Sequence, residues 1–225
     1  AASSMMAARR GLDIISNNIS NSNTDGYKRK GGIKRSFPEL LMKNIHKDGK
    51  NEVLGGISTG SHLKNSFTDY SPGRLKHTGR SLDFALKNNG FFVVRTDNGR
   101  RFTRDGAFTI NSRNQLTTRD GFPVLNQEGD PVNINGINVN VDKDGYFYSE
   151  GRKTDERIQI VDFEDRRLLE STGRNLFRSG PTMEITAENY SVVQGYLERS
   201  NVNIVEEMTE MIEKNRLYQA NQKAV

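Results

Sequence analysis

The chain has 225 residues, 33 Lys and Arg against 28 Asp and Glu, and a formal charge of +5. That length holds one or two domains, and a mean hydropathy of −0.74 implies that part of the chain does not pack against its own core. With no Cys and only His46, His62 and His77, disulfides, thiolate metal sites and Cys nucleophiles are excluded; no run of 18 apolar residues marks a membrane helix, and no basic-then-apolar opening marks a Sec-type signal peptide.

Residues 1–23 read as a helix. Met5, Ala8, Leu12, Ile15 and Ile19 step by 3, 4, 3 and 4, the spacing of a narrow coiled-coil seam. An ordinary amphipathic helix on a globule shows the same pattern. Asn, present 23 times, clusters at Asn17, Asn18, Asn21 and Asn23. It favours caps and turns and sets register when it lies in a helical seam, as Asn18 does beside Ile19. A helix-stop motif follows at Asn21, Asn23, Thr24, Gly26 and Tyr27, where turn residues and a glycine accumulate. Residues 1–27 are therefore an N-terminal assembly segment.

Residues 28–66 are basic, glycine-rich and weakly patterned, with Lys28, Arg29, Lys30, Lys34 and Arg35 close together. They read as an extended arm or linker. Residues 67–195 form the β-domain with a return segment. Between residues 82 and 163 short apolar runs alternate with Asp97-Asn98-Gly99, Asp105-Gly106, Asn111 to Asn114, Asp120-Gly121, Asn135-Gly136 and Asp144-Gly145. Turn chemistry at that frequency indicates an all-β meander or sandwich.

Residues 196–225 read as a second assembly helix. Ile204, Met208, Met211 and Tyr218 share a seam, Val205 and Ile212 flank it, and Asn201 and Asn215 fall in register. Ser200 or Asn201 is the expected cap, and the pattern is still running at Val225, so the helix is expected to continue in a longer chain. The fold class is α+β, a central β-domain between terminal helices that make a coiled-coil-like assembly element. Its expected interface is Met5, Ala8, Leu12, Ile15, Asn18, Ile19, Asn201, Ile204, Val205, Met208, Met211, Ile212, Asn215 and Tyr218. Such helices are marginal alone in water, so they are expected to pair with each other or with other copies.

Catalysis would have to rest on carboxylates, and Asp142/Asp144 and Glu206/Glu207 are pairs of a kind that arises by chance. As a calcium loop beginning at Asp142, the sequence places Phe147 where the glycine belongs and Lys153 where the bidentate Glu belongs, so a hairpin turn is the better reading. No phosphate-binding glycine fingerprint occurs. Neither a cofactor nor a metal is expected. The 28–35 basic cluster has no nucleic-acid motif beside it.

Four ordered blocks resemble the bacterial flagellar basal-body rod and hook protein family. They are Ser16-Asn17-Asn18-Ile19-Ser20-Asn21-Ser22-Asn23-Thr24-Asp25-Gly26-Tyr27-Lys28; Thr78-Gly79-Arg80-Ser81-Leu82-Asp83-Phe84-Ala85-Leu86 with Gly90-Phe91-Phe92-Val93-Val94; Phe102-Thr103-Arg104-Asp105-Gly106-Ala107-Phe108; and Gly195-Tyr196-Leu197-Glu198-Arg199-Ser200-Asn201-Val202-Asn203, running on to Asn221. The last block is most similar to the distal-rod member.

The resemblance implies a structural subunit whose terminal helices build a tubular axial shaft, with the β-domain outside it. It implies copies of itself and other rod and hook proteins as partners. It also implies export through the flagellar type III apparatus to the basal body without a cleaved signal peptide. The missing nucleic-acid motif and the missing apolar run lead to the expectation of no nucleic acid and no membrane insertion. Alternatives are a hook or proximal-rod subunit, or a carbohydrate-active enzyme, which would need carboxylates converging in a β-domain pocket.

Overall fold

Alanine and methionine near the start and the 3–4 apolar spacing carry one helix, α1, over Ala2–Ser20, and a second, α2, spans Ile204–Lys223. The rest is mostly β. The computed structural model describes residues 2–36, 40–45, 51–57, 61–134, 139–149 and 151–223; the Asn135-Gly136 turn lies outside them. The chain divides into two units, one of Ala1–Ser20, Lys30–Asp69 and Val202–Val225, the other of Asn21–Arg29 and Tyr70–Asn201.

In the first unit α1 packs against α2 and against the strands Lys30–Ser36 and Ser61–Thr68. The segment expected as an unpatterned arm is a ribbon. Lys30–Ser36 pairs antiparallel with Ser61–Thr68, and inside that hairpin Leu40–Ile45 pairs with Asn51–Ile57. Gly31 faces Phe67 across the outer pair, and a Cβ on Gly31 would lie 2.4 Å from the Phe67 ring, so glycine makes room for the aromatic.

α2 begins later than the spacing predicts, because Tyr196–Glu198 is a strand paired with Leu75–His77. Its cap is Asn203 rather than Ser200 or Asn201. The Asn203 Oδ1 accepts from the Val205 N–H at 3.2 Å and its carbonyl accepts from the Glu207 N–H at 3.0 Å, the N-cap geometry.

The second unit is built on a six-stranded antiparallel sheet ordered Glu170–Gly173, Leu176–Arg178, Gly99–Thr103, Phe91–Thr96, Ile160–Phe163 and Glu184–Thr186. This differs from an up-and-down meander, since the 91–103 hairpin is central and later strands add on both sides. The physical reason is Phe91-Phe92-Val93-Val94, apolar at every position. Strand alternation sends Phe92 and Val94 into one core with Phe84, Phe108 and Ile158, and Phe91 and Val93 into another with Phe102, Phe163 and Phe177. A strand buried on both faces belongs in the middle of its sheet.

Asp97-Asn98 turns the central hairpin between the paired Thr96 and Gly99. In the 142–145 turn the Asp142 Oδ1 accepts from the Asp144 and Tyr146 N–H groups at 3.0 Å each. The residue types at 147 and 153 favour this hairpin turn over a calcium loop.

Candidate assembly site

In α1 the most buried line is Ala8, Gly11, Ile15 and Asn18, with Met5, Leu12 and Ile19 half-buried. Small side chains at 8 and 11 allow a close neighbour, at the cost of a glycine inside a helix. Sequence reasoning missed Gly11, which reads as a breaker.

α2 divides differently. Glu207 is fully buried, and Met211, Lys214, Tyr218 and Asn221 behind it are half-buried. Ile204, Val205, Met208, Ile212 and Leu217 are exposed, Val205 at 71% and Ile212 at 55%, and Asn215 is exposed with them. The expected interface is thus shared between two faces, with Met211 and Tyr218 turned inward and most of the aliphatic residues outward.

Asn18 joins the elements of this unit. Its Oδ1 accepts from the Lys30 N–H at 2.9 Å, and its Nδ2 donates to the Lys30 carbonyl at 2.8 Å and to Glu207 Oε2 at 3.0 Å. Since Asn18 closes α1 and Glu207 opens α2, the packed helices run antiparallel.

In the second unit residues 21–26 form the turn after α1. The Asn21 carbonyl accepts from the Thr24 N–H at 3.1 Å, Gly26 takes φ +70°, and the Gly26 N–H donates to the Glu198 carbonyl at 2.7 Å. A Cβ on Gly26 would sit 2.4 Å from the Asp105 backbone nitrogen. Tyr27 is buried, whereas Asn23 is exposed and accepts from Arg199 at 3.4 Å. Asn201 lies in this unit, not on α2, where its Oδ1 accepts from the Arg29 N–H at 2.7 Å.

A buried ion triad follows the turn. Glu198 Oε1 lies 2.6 Å from Lys28 Nζ and Glu198 Oε2 lies 3.1 Å from Arg104 Nη1. The Gly73 N–H also donates to Glu198 Oε1 at 2.8 Å, and Lys28 donates to the Ser71 carbonyl at 2.8 Å. Arg104 donates to the carbonyls of Leu86 and Asn88, and burial draws its pKa below the ordinary value despite the Glu198 charge. Lys28 is therefore not on a solvated basic arm. Beside the triad, burial pushes the Asp105 carboxyl up to about 6, against the opposing Ala107 N–H and Arg119.

Of the two carboxylate pairs, Asp142 holds its turn and Glu207 accepts from Asn18, whereas Asp144 and Glu206 are exposed. A groove of about 570 Å³ in the second unit is lined by other residues, among them Glu128, Tyr146, Asp155 and Glu156.

Three stretches of the chain match described families. Residues 1–28 match "Flagella basal body rod protein", residues 85–149 "Flagellar hook protein FlgE/F/G D1 domain", and residues 193–225 "Flagellar basal body rod FlgEFG protein C-terminal". The chain is 33% identical to the flagellar hook-basal body complex protein FlhO of Bacillus subtilis, over 100% of its own length and 91% of that protein. The chain belongs to the flagellar basal-body rod and hook family.

Two further rod-family relatives are covered almost as fully. The basal-body rod protein FlgG of Buchnera aphidicola (subspecies Acyrthosiphon pisum) is 32% identical over 95% of this chain and 88% of its own, and the rod protein FlgF of Caulobacter vibrioides is 36% identical over 97% and 87%. The matched stretches carry the geometry above: the first holds Asn18, Gly26 and Lys28, and the last holds Glu198, Asn203 and Glu207. Among the described residues, no helix is long and apolar enough to cross a membrane.

Proposed function

We propose that this rod-family chain is a structural, non-catalytic subunit that polymerises with its own kind through α1 and α2 into a tubular shaft. The observation that carries the reading is the outer face of α2, where Ile204, Val205, Met208, Ile212 and Leu217 stand in water while Glu207 is inside. An amphipathic helix normally buries its apolar stripe. Each large aliphatic side chain moved out of water stabilises by roughly 1.5–3 kcal/mol, so helices marginal alone are held by neighbouring copies. A second copy offering a different surface gives a heterologous contact that propagates without closing.

The same reading includes docking to other rod and hook proteins and passage through the type III export apparatus without a cleaved signal. The distal rod is the proposed position, from the resemblance of residues 195–203; hook and proximal rod are the alternatives. The test is assembly. Val205→Asp and Met208→Asp should leave the thermal melt of the monomer near the parent's and remove filaments in electron micrographs and swimming in complemented cells. Filaments that form as in the parent would refute the reading.

A further inference from the structure

α2 carries two competing contact lines. The inward line Glu207, Met211, Lys214 and Tyr218 steps by 4, 3 and 4, and it opens on a carboxylate with no exposed surface. The line Val205, Met208 and Ile212 steps by 3 and 4, is wholly apolar, and faces outward at 71, 50 and 55% exposure. A roll of the helix about its axis would exchange them. Burial of apolar surface favours that roll, so something specific must oppose it.

Asn18 is placed to supply that opposition. Its oxygen and its amide nitrogen are committed to the backbone of Lys30, and the same nitrogen also reaches Glu207 at 3.0 Å. Rolling α2 would take the acceptor from a buried donor and put an aliphatic side chain in its place. A buried polar contact that selects one helix pairing over a more apolar one has its best-attested precedent in coiled-coil register.

We propose that the Asn18–Glu207 bond is a rotational key. It fixes α2 with the Glu207 line against α1, and so keeps Val205, Met208 and Ile212 available to the next copy. The inference rests on the assembly reading of that outer face. Asn18 and Glu207 are positioning residues, not contact residues for the neighbour.

The absence of cysteine makes the test direct, because a single introduced thiol is a unique label. In the full-length monomer, Val205→Cys and Met211→Cys are labelled with a maleimide in otherwise parental, Glu207→Gln and Glu207→Leu backgrounds. The parent should label position 205 much faster than 211. Glu207→Gln keeps an acceptor and should keep that ratio within about twofold. Glu207→Leu should slow labelling at 205 and quicken it at 211, lowering the ratio by roughly tenfold or more, the factor that about 1.4 kcal/mol of preference represents, and should cut swimming.

An unchanged ratio in Glu207→Leu rejects the key. Equal, fast labelling at both positions also rejects it, since the bond would then only hold the helix down. The Val205→Asp and Met208→Asp assembly assay is independent: if those variants assemble normally while the labelling ratio shifts, the key stands and the assembly reading fails.

Discussion

Glu198 and Lys28 meet at 2.6 Å across 170 positions of sequence, with both side chains 1% exposed. Arg104 shares the same carboxylate, so one anion serves two buried cations. Glu198→Ala removes the buried carboxylate that the two cations share. It should lower the stability of the second unit by about 3–5 kcal/mol, read from denaturant melts, with Glu198→Gln intermediate. A loss below about 1 kcal/mol would show that solvent reaches the triad.

Gly26 should tolerate neither Ala nor Val. A left-handed conformation costs an L-residue roughly 1–2 kcal/mol, and here the added Cβ also runs into backbone at Arg104 and Asp105, which no side-chain rotation relieves. Gly26→Ala should therefore destabilise by at least ~2 kcal/mol, and Gly26→Val by more. Parental melting of Gly26→Ala would contradict the close approach.

Asp105 gives a pH signature. Its folded pKa of about 6 lies above the ordinary 3.8, so the stability it contributes is present in full below 3.8 and is lost as pH rises through about 6. The loss is at most about 3 kcal/mol. Asp105→Asn stays neutral and can still accept the Ala107 N–H through its amide oxygen. The variant should match the parent near pH 4 and be the more stable protein at pH 7.5. A difference that does not change between those pH values would contradict burial of the charge.

The nested ribbon should be removable. Lys30 and Thr68 are paired across its base, so a short Gly-Ser linker in place of residues 31–67 spans the gap. The prediction is that the second unit, with its triad, melts as in the parent. A cooperative transition lost on this replacement would mean that the ribbon is needed for folding.

Features that one short stretch of chain decides were legible in the sequence. The turns at Asp97-Asn98-Gly99 and at Asp142 to Gly145 were placed because Asn, Asp and Gly carry their own backbone preferences. Helical spacing marks Ala8 and Ile15, and both are buried. The misses have one physical origin, contacts between distant residues. Glu198 looks like the first turn of a helix, and only its pairing with Lys28 and Arg104 explains a charge in that strand. Lys28 looks like one of a basic run for the same reason. In α2 the spacing identified apolar residues but not which way they face, because direction is decided by Asn18, 189 residues from Glu207.

The triad also sets the order in which the second unit can be completed. A chain that emerges amino end first presents Lys28 early and Arg104 midway, yet their shared anion arrives only after nearly nine-tenths of the 225 residues. Loop-closure entropy must be met before that contact returns anything. Until then the two cations lack the carboxylate that they share in the folded unit. Fold completion is thereby tied to the carboxyl end, and under the proposed export route a subunit threaded through a narrow conduit would stay pliable until almost all of it has passed.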